Sequence, residues 1–193
     1  MKPRKFFELI LFILGSGLAG YTGFVLGIAW AQPFWETPLI TVLFYASGVS
    51  TALMAIGLCI AILRLVQVTE ESKKLFVEMM HRLDVADGYM LAIEFGTAML
   101  YLYIMLNSPS EVARASAQIL AFGELAPLFW GGFVFLGLIV PMALVALLAW
   151  KGRTAAFIRL YAPLMIVASL CVLIGGAFMR YCFLLAGQLP VIR

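Results

Sequence analysis

The sequence predicts an all-α integral membrane protein, a single membrane domain built as a bundle of five transmembrane helices with short amphipathic helices at the membrane surface. Hydrophobic residues make up 64% of the 193 residues and charged residues only 12%, and the mean hydropathy is +1.06. A water-soluble protein of this size needs far more charge on its surface. The apolar residues also fall into five long runs, each near the roughly 20 residues that a spanning helix requires.

The five runs define the predicted spans. The first follows a basic N-terminal segment and is too long for the apolar core of a signal peptide, so we expect it to be retained as a helix. A short turn follows it, and longer polar stretches flank the third run. The predicted spans are residues 6–31, 39–65, 88–106, 127–150 and 163–186.

Two polar stretches carry helix signals of their own. Residues 108–111 read Ser-Pro-Ser-Glu, a capping box with proline at the first helical position, and predict an amphipathic helix ending near Phe122. Thr69 and the two glutamates after it are expected to cap another helix that runs to the third span. Both helices are predicted to lie along the membrane surface.

The basic residues indicate the orientation. We call the side of the membrane that holds the N-terminus side A and the opposite side B. Side A is then cytoplasmic by the positive-inside rule, the C-terminus lies outside, and the protein belongs in the cytoplasmic (inner) membrane. Ten Lys and Arg residues fall on side A and three on side B: Lys2, Arg4, Lys5, Arg64, Lys73, Lys74, Arg82, Lys151, Arg153 and Arg159 against Arg114, Arg180 and Arg193.

Small residues recur every four positions in the first two spans. Such stripes let helices approach closely in lipid, where no hydrophobic effect drives association. Because a short turn joins these spans, we expect them to pack as a hairpin along the two stripes. The stripes are Gly15, Ala19, Gly23 and Gly27 in the first span and Ser47, Thr51 and Ala55 in the second.

Three acidic residues form the first candidate site. Asp87 and Glu94 are seven residues apart, so they share a helix face about 10 Å apart along the axis, and Asp84 lies just before the third span. Ionisable groups within a membrane are costly and mark function by default. A line of carboxylates entering from side A predicts a proton-transfer relay. The alternatives are a purely structural bond to a neighbouring helix and simple exposure in an interfacial kink.

Tyr21, Trp35 and Arg180 form the second candidate site. Tyr21 and Arg180 each lie about 16 residues, or roughly 25 Å, from the side A end of their spans, and Trp35 sits in the turn on side B. A phenol, an indole and a guanidinium at one depth could bind a quinone headgroup. The alternatives are an ordinary interfacial belt of aromatic residues and an arginine that snorkels to the surface.

Other cofactors are disfavoured by residue counts. The single histidine, His81, cannot supply the two ligands of a bis-histidine haem. Cys59, Cys171 and Cys182 lie inside apolar runs without a CxxC pair, so neither a zinc nor an iron–sulfur site is expected. No phosphate-binding loop or hydrolase motif is present. Any redox centre is therefore expected on partner subunits, and the chain is not expected to be catalytic alone.

Several stretches resemble the NrfD/PsrC family, the membrane subunits of polysulfide-reductase-type molybdoenzymes. Their order and spacing extend over nearly the whole chain. Family members usually have eight spans or more, and the match is to the C-terminal part, so the first three spans are expected to be absent. The stretches are GYTG at 20–23, PFWETPL at 33–39, FYASG at 44–48, HRLD at 81–84 with Glu94 beyond it, FWGG at 129–132, and RY at 180–181 through AGQ at 186–188.

The resemblance implies a function. Such subunits anchor an iron–sulfur protein and a molybdopterin subunit and exchange electrons with a membrane quinone, menaquinone or ubiquinone, without haem. The family's quinone-contacting tyrosine maps onto Tyr21, and Asp84 and Glu94 match the region associated with proton movement. A truncated member, a split gene and a subunit completed by another membrane chain all fit the short length. The rival functions are a proton-translocating module without a quinone site and a structural anchor.

Overall fold

The computed structural model describes residues 3–28, 32–66, 70–151 and 155–192 of the chain. Within these ranges the chain forms seven helical segments, and about 90% of the molecule is helical. The segments are α1 (Pro3–Gly27), α2 (Pro38–Val66), α3 (Glu70–Leu106), α4 (Glu111–Ala121), the π-helical π1 (Pro127–Ile139), α5 (Val140–Lys151) and α6 (Ala155–Ile192).

The described residues contain five helical stretches that are long and apolar enough to cross a membrane, which confirms the predicted fold class. π1 and α5 together make the fourth. The protein is therefore a multi-pass membrane protein. The stretches are Arg4–Gly27, Pro38–Leu63, Met79–Leu106, Pro127–Leu148 and Leu160–Gln188.

The third stretch begins nine residues earlier than predicted, and the fifth three residues earlier. Helix α3 is one continuous helix, so no separate surface helix precedes the third span. Its polar sequence misled the prediction, because Asp84 and Asp87 on it are buried against neighbouring helices rather than exposed to water. The predicted cap at Thr69 and residues 29–31 of the first predicted span lie outside the described residues.

The transmembrane helices alternate in direction, and α2, α3 and α6 form the centre of the bundle. Ser50 of α2 meets Asp87 of α3, and Thr51 of α2 meets Gly176 of α6. Helix α1 lies at the edge: only 11% of its spanning stretch is buried, against 33 to 44% for the other four. Its remaining faces are apolar and exposed, as suits contact with lipid or another membrane helix.

The α1–α2 hairpin forms, and Ala19, Gly23 and Gly27 of the first predicted stripe lie in its contact, whereas Gly15 has nothing within 4 Å of its Cβ position. A Cβ on Gly23 would stand 2.8 Å from the Cβ of Phe44 and 2.9 Å from the backbone of Thr41. The helices therefore touch backbone to side chain at this glycine. The second predicted stripe was assigned to the wrong neighbour, because Ser47 and Thr51 lie against Gly176 of α6.

Helix α4 begins two residues later than predicted. Ser110 is the N-cap, and its hydroxyl accepts a hydrogen bond from the backbone N–H of Ala113 at 3.4 Å. Ser108 instead accepts a bond from the backbone of Ser110. The helix ends before Phe122, as predicted. One face packs on α3 and α6, and the Trp130 indole N–H donates to the carbonyl of Ala121 at 2.8 Å.

Candidate functional site

The buried face of α3 carries the acidic residues. The buried residues of this face recur every three or four positions, so they form one stripe along the helix. This stripe faces α2 and α6. Asp84 and Asp87 are fully buried and Glu94 is 3% exposed. The stripe consists of Met80, Asp84, Asp87, Leu91, Glu94, Ala98, Tyr101 and Met105. We call its three acids, Asp84, Asp87 and Glu94, the acid column.

Asp84 and Asp87 each receive one hydroxyl hydrogen bond from another helix. The Tyr161 hydroxyl of α6 donates to Oδ2 of Asp84, and the Ser50 hydroxyl of α2 donates to Oδ1 of Asp87 at 2.6 Å. The second oxygen of each carboxyl, Asp84 Oδ1 and Asp87 Oδ2, is buried without a hydrogen-bond partner. A buried carboxylate with a free oxygen is costly, so both groups are suited to accept a proton.

Glu94 lies near the guanidinium of Arg180, and the two charges attract each other. The Ser47 hydroxyl lies beside the Glu94 carboxyl, outside the geometry of a hydrogen bond. Nη1 of Arg180 donates to the carbonyl of Gly176 at 3.0 Å. A Cβ at Gly176 would lie 3.2 Å from this nitrogen and 2.8 Å from Thr51. The glycine therefore leaves the space that the guanidinium occupies.

Aromatic rings fill the bundle between Arg180 and side B. The ring centroids of Tyr101 and Phe183 are 5.3 Å apart, and those of Phe34 and Tyr101 are 5.4 Å apart. The Tyr101 hydroxyl donates to the Phe34 carbonyl, and the Trp35 indole N–H donates to the Phe183 carbonyl at 3.0 Å. We call Phe34, Tyr101, Phe129, Phe133 and Phe183 the ring cluster; all five side chains are at most 1% exposed.

Tyr21 lies apart from this core. Its side chain is 64% exposed on α1, one helical turn from Phe24. Phe24 borders a cavity of about 510 Å³ between the side B ends of α1 and α2. The cavity is mainly apolar, with Glu36, Thr37 and Thr41 adding polar atoms, and its full lining is Phe24, Gly27, Ile28, Glu36, Thr37, Pro38, Thr41 and Val42. It is large enough for an aromatic ring with small polar substituents.

The structure brings the three predicted acids together on one buried stripe, but it does not gather the three predicted quinone-pocket residues. Trp35 is buried against Phe183, Arg180 turns toward Glu94, and Tyr21 stands on the exposed face of α1. The depth argument behind that trio compared positions along the helices. It carried no information on the direction in which each side chain points.

Sequence reasoning missed three polar partners: Ser47, Ser50 and Tyr161. The sequence predicts a packing stripe that contains Ser47, and Tyr161 lies between the fourth and fifth predicted spans. Their small hydroxyls give no signal when read alone. One sequence feature could have indicated them: two apolar helices contain hydroxyl residues, and a third contains carboxylates. In lipid such polar groups must form hydrogen bonds with one another, so these three helices are expected to pack together. Within the described residues, no cluster of three or more His, Cys, Asp or Glu side chains could hold a metal ion.

Comparison with known proteins adds three relatives. A family model described as "Polysulphide reductase, NrfD" matches residues 2–192. The chain is 33% identical over 186 residues to the C subunit of the polysulfide reductase of Wolinella succinogenes, an alignment that covers 94% of this chain and 53% of that protein. It is 30% identical over 184 residues to protein NrfD of Escherichia coli, covering 95% of this chain and 53% of that one.

A further relative is the NrfD homolog of Haemophilus influenzae, 29% identical over 185 residues, with 95% of this chain and 53% of that protein covered. The chain thus spans about half the length of the curated relatives it matches. No solved structure matches it at a significant level.

Proposed function

The chain belongs to the NrfD family, and from this premise we propose that it is the membrane subunit of a quinone-linked respiratory oxidoreductase complex. It would anchor an iron–sulfur subunit of ferredoxin type, next to a molybdopterin-type or other redox subunit, and exchange electrons with a quinone. A further membrane subunit could complete the bundle along the exposed faces of α1. The complex would lie in the cytoplasmic membrane with side A inside, in keeping with the charge distribution.

The observation that carries this proposal is the cavity between α1 and α2 near side B. A quinone dissolved in the bilayer can approach it from lipid, because α1 is the outermost helix. Its apolar lining suits the ring and the start of the isoprenoid tail, while Thr37 and Glu36 offer polar contacts. The exposed Tyr21 hydroxyl, one turn away on α1, would donate a hydrogen bond to a quinone carbonyl.

The reaction at such a site is simple to balance. A quinol releases two electrons and two protons to become a quinone, and the reverse reaction consumes both. In this proposal the electrons would pass directly between the quinone and an iron–sulfur cluster of the partner. The chain itself would position the quinone and provide the proton acceptors or donors.

Proton transfer through the acid column is a second candidate function, favoured by the two buried carboxyl oxygens without partners. It can operate with or without the quinone site. If both sites exist, protons released or taken up at one membrane face could be linked to movement of protons on the column. If the column merely holds helices together, neutral substitutions on it will leave proton uptake unchanged.

One experiment on the purified complex separates these functions. Tyr21→Phe removes a hydroxyl at the proposed quinone site, and we expect quinone-dependent turnover to fall by about tenfold, equivalent to about 1.4 kcal/mol of barrier. Glu94→Gln removes an ionisable group from the column, and we expect proton uptake per electron to fall while turnover with quinone persists. Bound quinone, turnover and proton uptake in vesicles are the measurements.

Tyr103→Phe is the matched control, because Tyr103 is equally exposed on α3, and it is expected to behave as wild type. A complex without bound quinone, whose Tyr21→Phe variant is fully active, would eliminate the quinone site. An unchanged proton uptake in Glu94→Gln would eliminate the relay. Wild-type behaviour of both variants would leave the structural anchor as the function of this chain.

A further inference from the structure

We propose that the acid column is a blind pathway: it opens to side A and is closed toward side B by Arg180 and the ring cluster, so its carboxyls exchange protons with side A alone. The proposal rests on the proton-transfer part of the proposed function and adds the direction of access. It also gives Arg180 a role different from the quinone contact predicted from the sequence. Its positive charge would block proton transfer toward side B, and we call it the charged stop.

The side A end of the column is short. Asp84 lies five residues after Met79, where the membrane-spanning stretch of α3 begins, which is about 8 Å along the axis. Next to it, His81 is half-buried and Arg82 is exposed, and the Tyr161 hydroxyl of α6 contacts its carboxyl. Met80 and Asp84 are fully buried, so the opening to side A, past His81, is part of the proposal.

Arg180 changes the character of the column beyond Glu94. A guanidinium donates hydrogen bonds but accepts none, and it stays charged, so it can neither take up a proton nor tolerate an approaching cation. A single arginine excludes protons from other membrane pores by the same physics. Here it is fixed in place by the Gly176 carbonyl at 3.0 Å and by the attraction of Glu94.

Among the described side chains of α3, no carboxyl follows Glu94 toward side B, and the buried acceptors without partners in that half, Gln32 Oε1 and Ser116 Oγ, belong to the side B turn and to α4. On α3 the next buried residues after Glu94 are Ala98 and Tyr101, and the Tyr101 hydroxyl is already donated to a backbone carbonyl. Cys182 of α6 is also fully buried there, and its sulfur is only a weak hydrogen-bond acceptor. The facing residues of α2 and π1, Phe44 and Phe133, are apolar.

The two halves of the stripe therefore differ in chemistry. Toward side A, Asp84 and Asp87 each accept a hydrogen bond from a hydroxyl of another helix, and the Ser47 hydroxyl lies beside Glu94 without bonding to it. Toward side B, about 10 Å of α3 between Glu94 and Tyr101 is surrounded by apolar side chains and closely packed rings. A proton that reaches Glu94 from side A must return by the same route, unless Arg180 or the rings move.

The test measures proton exchange from each side separately. The wild-type complex is reconstituted into sealed, oriented vesicles, and a pH step is applied on one side. Infrared difference spectra then follow the carbonyl stretch of the protonated carboxyls, which is assigned through its loss in Asp87→Asn. We expect a response to a step on side A and none to the same step on side B while the gradient persists.

Substitutions at Arg180 test the charged stop. Arg180→Lys keeps the charge and should remain closed, whereas Arg180→Gln should accelerate exchange from side B by about tenfold or more. If Arg180→Gln alone fails to accumulate, because Glu94 is left unpaired, the neutral pair Glu94→Gln with Arg180→Gln replaces it. Arg114→Gln is the matched control, since Arg114 is an exposed arginine on α4.

Each outcome decides the proposal. Equal wild-type responses from both sides would overturn the closure, and a folded Arg180→Gln variant that stays closed would overturn the role of Arg180. No carboxyl response from either side would overturn the open end on side A. The proposed function fails by a different result, unchanged proton uptake in Glu94→Gln, so the two failures can be told apart.

Discussion

At the scale of single residues, buried charge is balanced by hydroxyl groups more than by opposite charge. The acid column contains three carboxyls and has one guanidinium beside it. Ser50 and Tyr161 donate hydrogen bonds to Asp87 and Asp84, and the Ser47 hydroxyl lies beside Glu94 without bonding to it. Each hydroxyl comes from a different helix than the carboxyl it meets. These contacts therefore fix which faces of α2, α3 and α6 meet, in a solvent that cannot compensate an unpaired group.

The Ser50–Asp87 contact gives a prediction at this scale. Ser50→Ala leaves both oxygens of Asp87 without a hydrogen bond, so we expect it to lower the free energy of unfolding by about 1 to 3 kcal/mol. In the double variant Ser50→Ala with Asp87→Asn, the charge is absent and the loss of the hydroxyl should cost less. Thermal unfolding in detergent is measured for the wild type, the two single variants and the double variant. The difference between the double variant and the sum of the single variants gives the coupling energy between Ser50 and Asp87.

The control is Thr22→Ala, because Thr22 is exposed on α1 and its loss should leave unfolding unchanged. Purely additive effects of Ser50→Ala and Asp87→Asn would contradict the hydrogen bond as a stabilising contact.

At the scale of helices, glycine sets the distance between the elements that pack most closely. The Cα atoms of Gly137 in π1 and Gly175 in α6 face each other, and a Cβ on Gly137 would stand 2.6 Å from Gly175. The π-helical winding of π1, in which the N–H of Val140 bonds to the carbonyl five residues back, is rare and occurs often at functional sites. The winding of π1 places Gly137 on the side of the helix that faces α6.

Gly137→Ala is the prediction at this scale. The added methyl group would meet backbone, which cannot yield as a side chain can, so π1 and α6 must separate. We expect the free energy of unfolding to fall by about 1 to 3 kcal/mol, as for other overpacked cores. Thermal unfolding of the variant in detergent measures it.

Gly131→Ala is the matched control, because nothing lies within 4 Å of its Cβ position and alanine favours helix over glycine. A Gly137→Ala variant as stable as the Gly131→Ala variant would show that the two helices are not held at this contact.

At the scale of the whole molecule, the five spanning stretches place α4 and the two ends of the chain relative to the membrane. Helix α4 follows the third stretch on side B, which the charge distribution assigns to the outside. The orientation decides which compartment each site faces. In the proposed orientation the acid column would open on the inner side, and the cavity beside α1 would lie near the outer side.

Cysteine labelling tests this orientation. With a membrane-impermeant maleimide, we expect Glu111→Cys, at the start of α4, to be labelled in intact cells, and Lys5→Cys, at the start of α1, only after the cells are broken. Both positions are exposed. The reverse pattern would invert the assignment of sides, and with it the membrane face to which the acid column opens.

The sequence by itself determined the class of the protein, because the number and length of apolar runs depend only on composition along the chain and on bilayer thickness. It also placed the acids on one helix face, since helical periodicity is local. The family could be inferred from the order of short stretches, and the family model agrees.

Tertiary structure alone decided which faces meet. Trp35 and Arg180 point away from Tyr21, Ser47 turns to α6 rather than to α1, and Tyr161 lies within a helix beside Asp84. In lipid the apolar faces of a helix are nearly equivalent, so hydropathy does not select a neighbour. That choice depends on close contacts at glycines and on hydroxyl–carboxyl pairs between residues far apart in sequence, and these exist only once the helices are assembled.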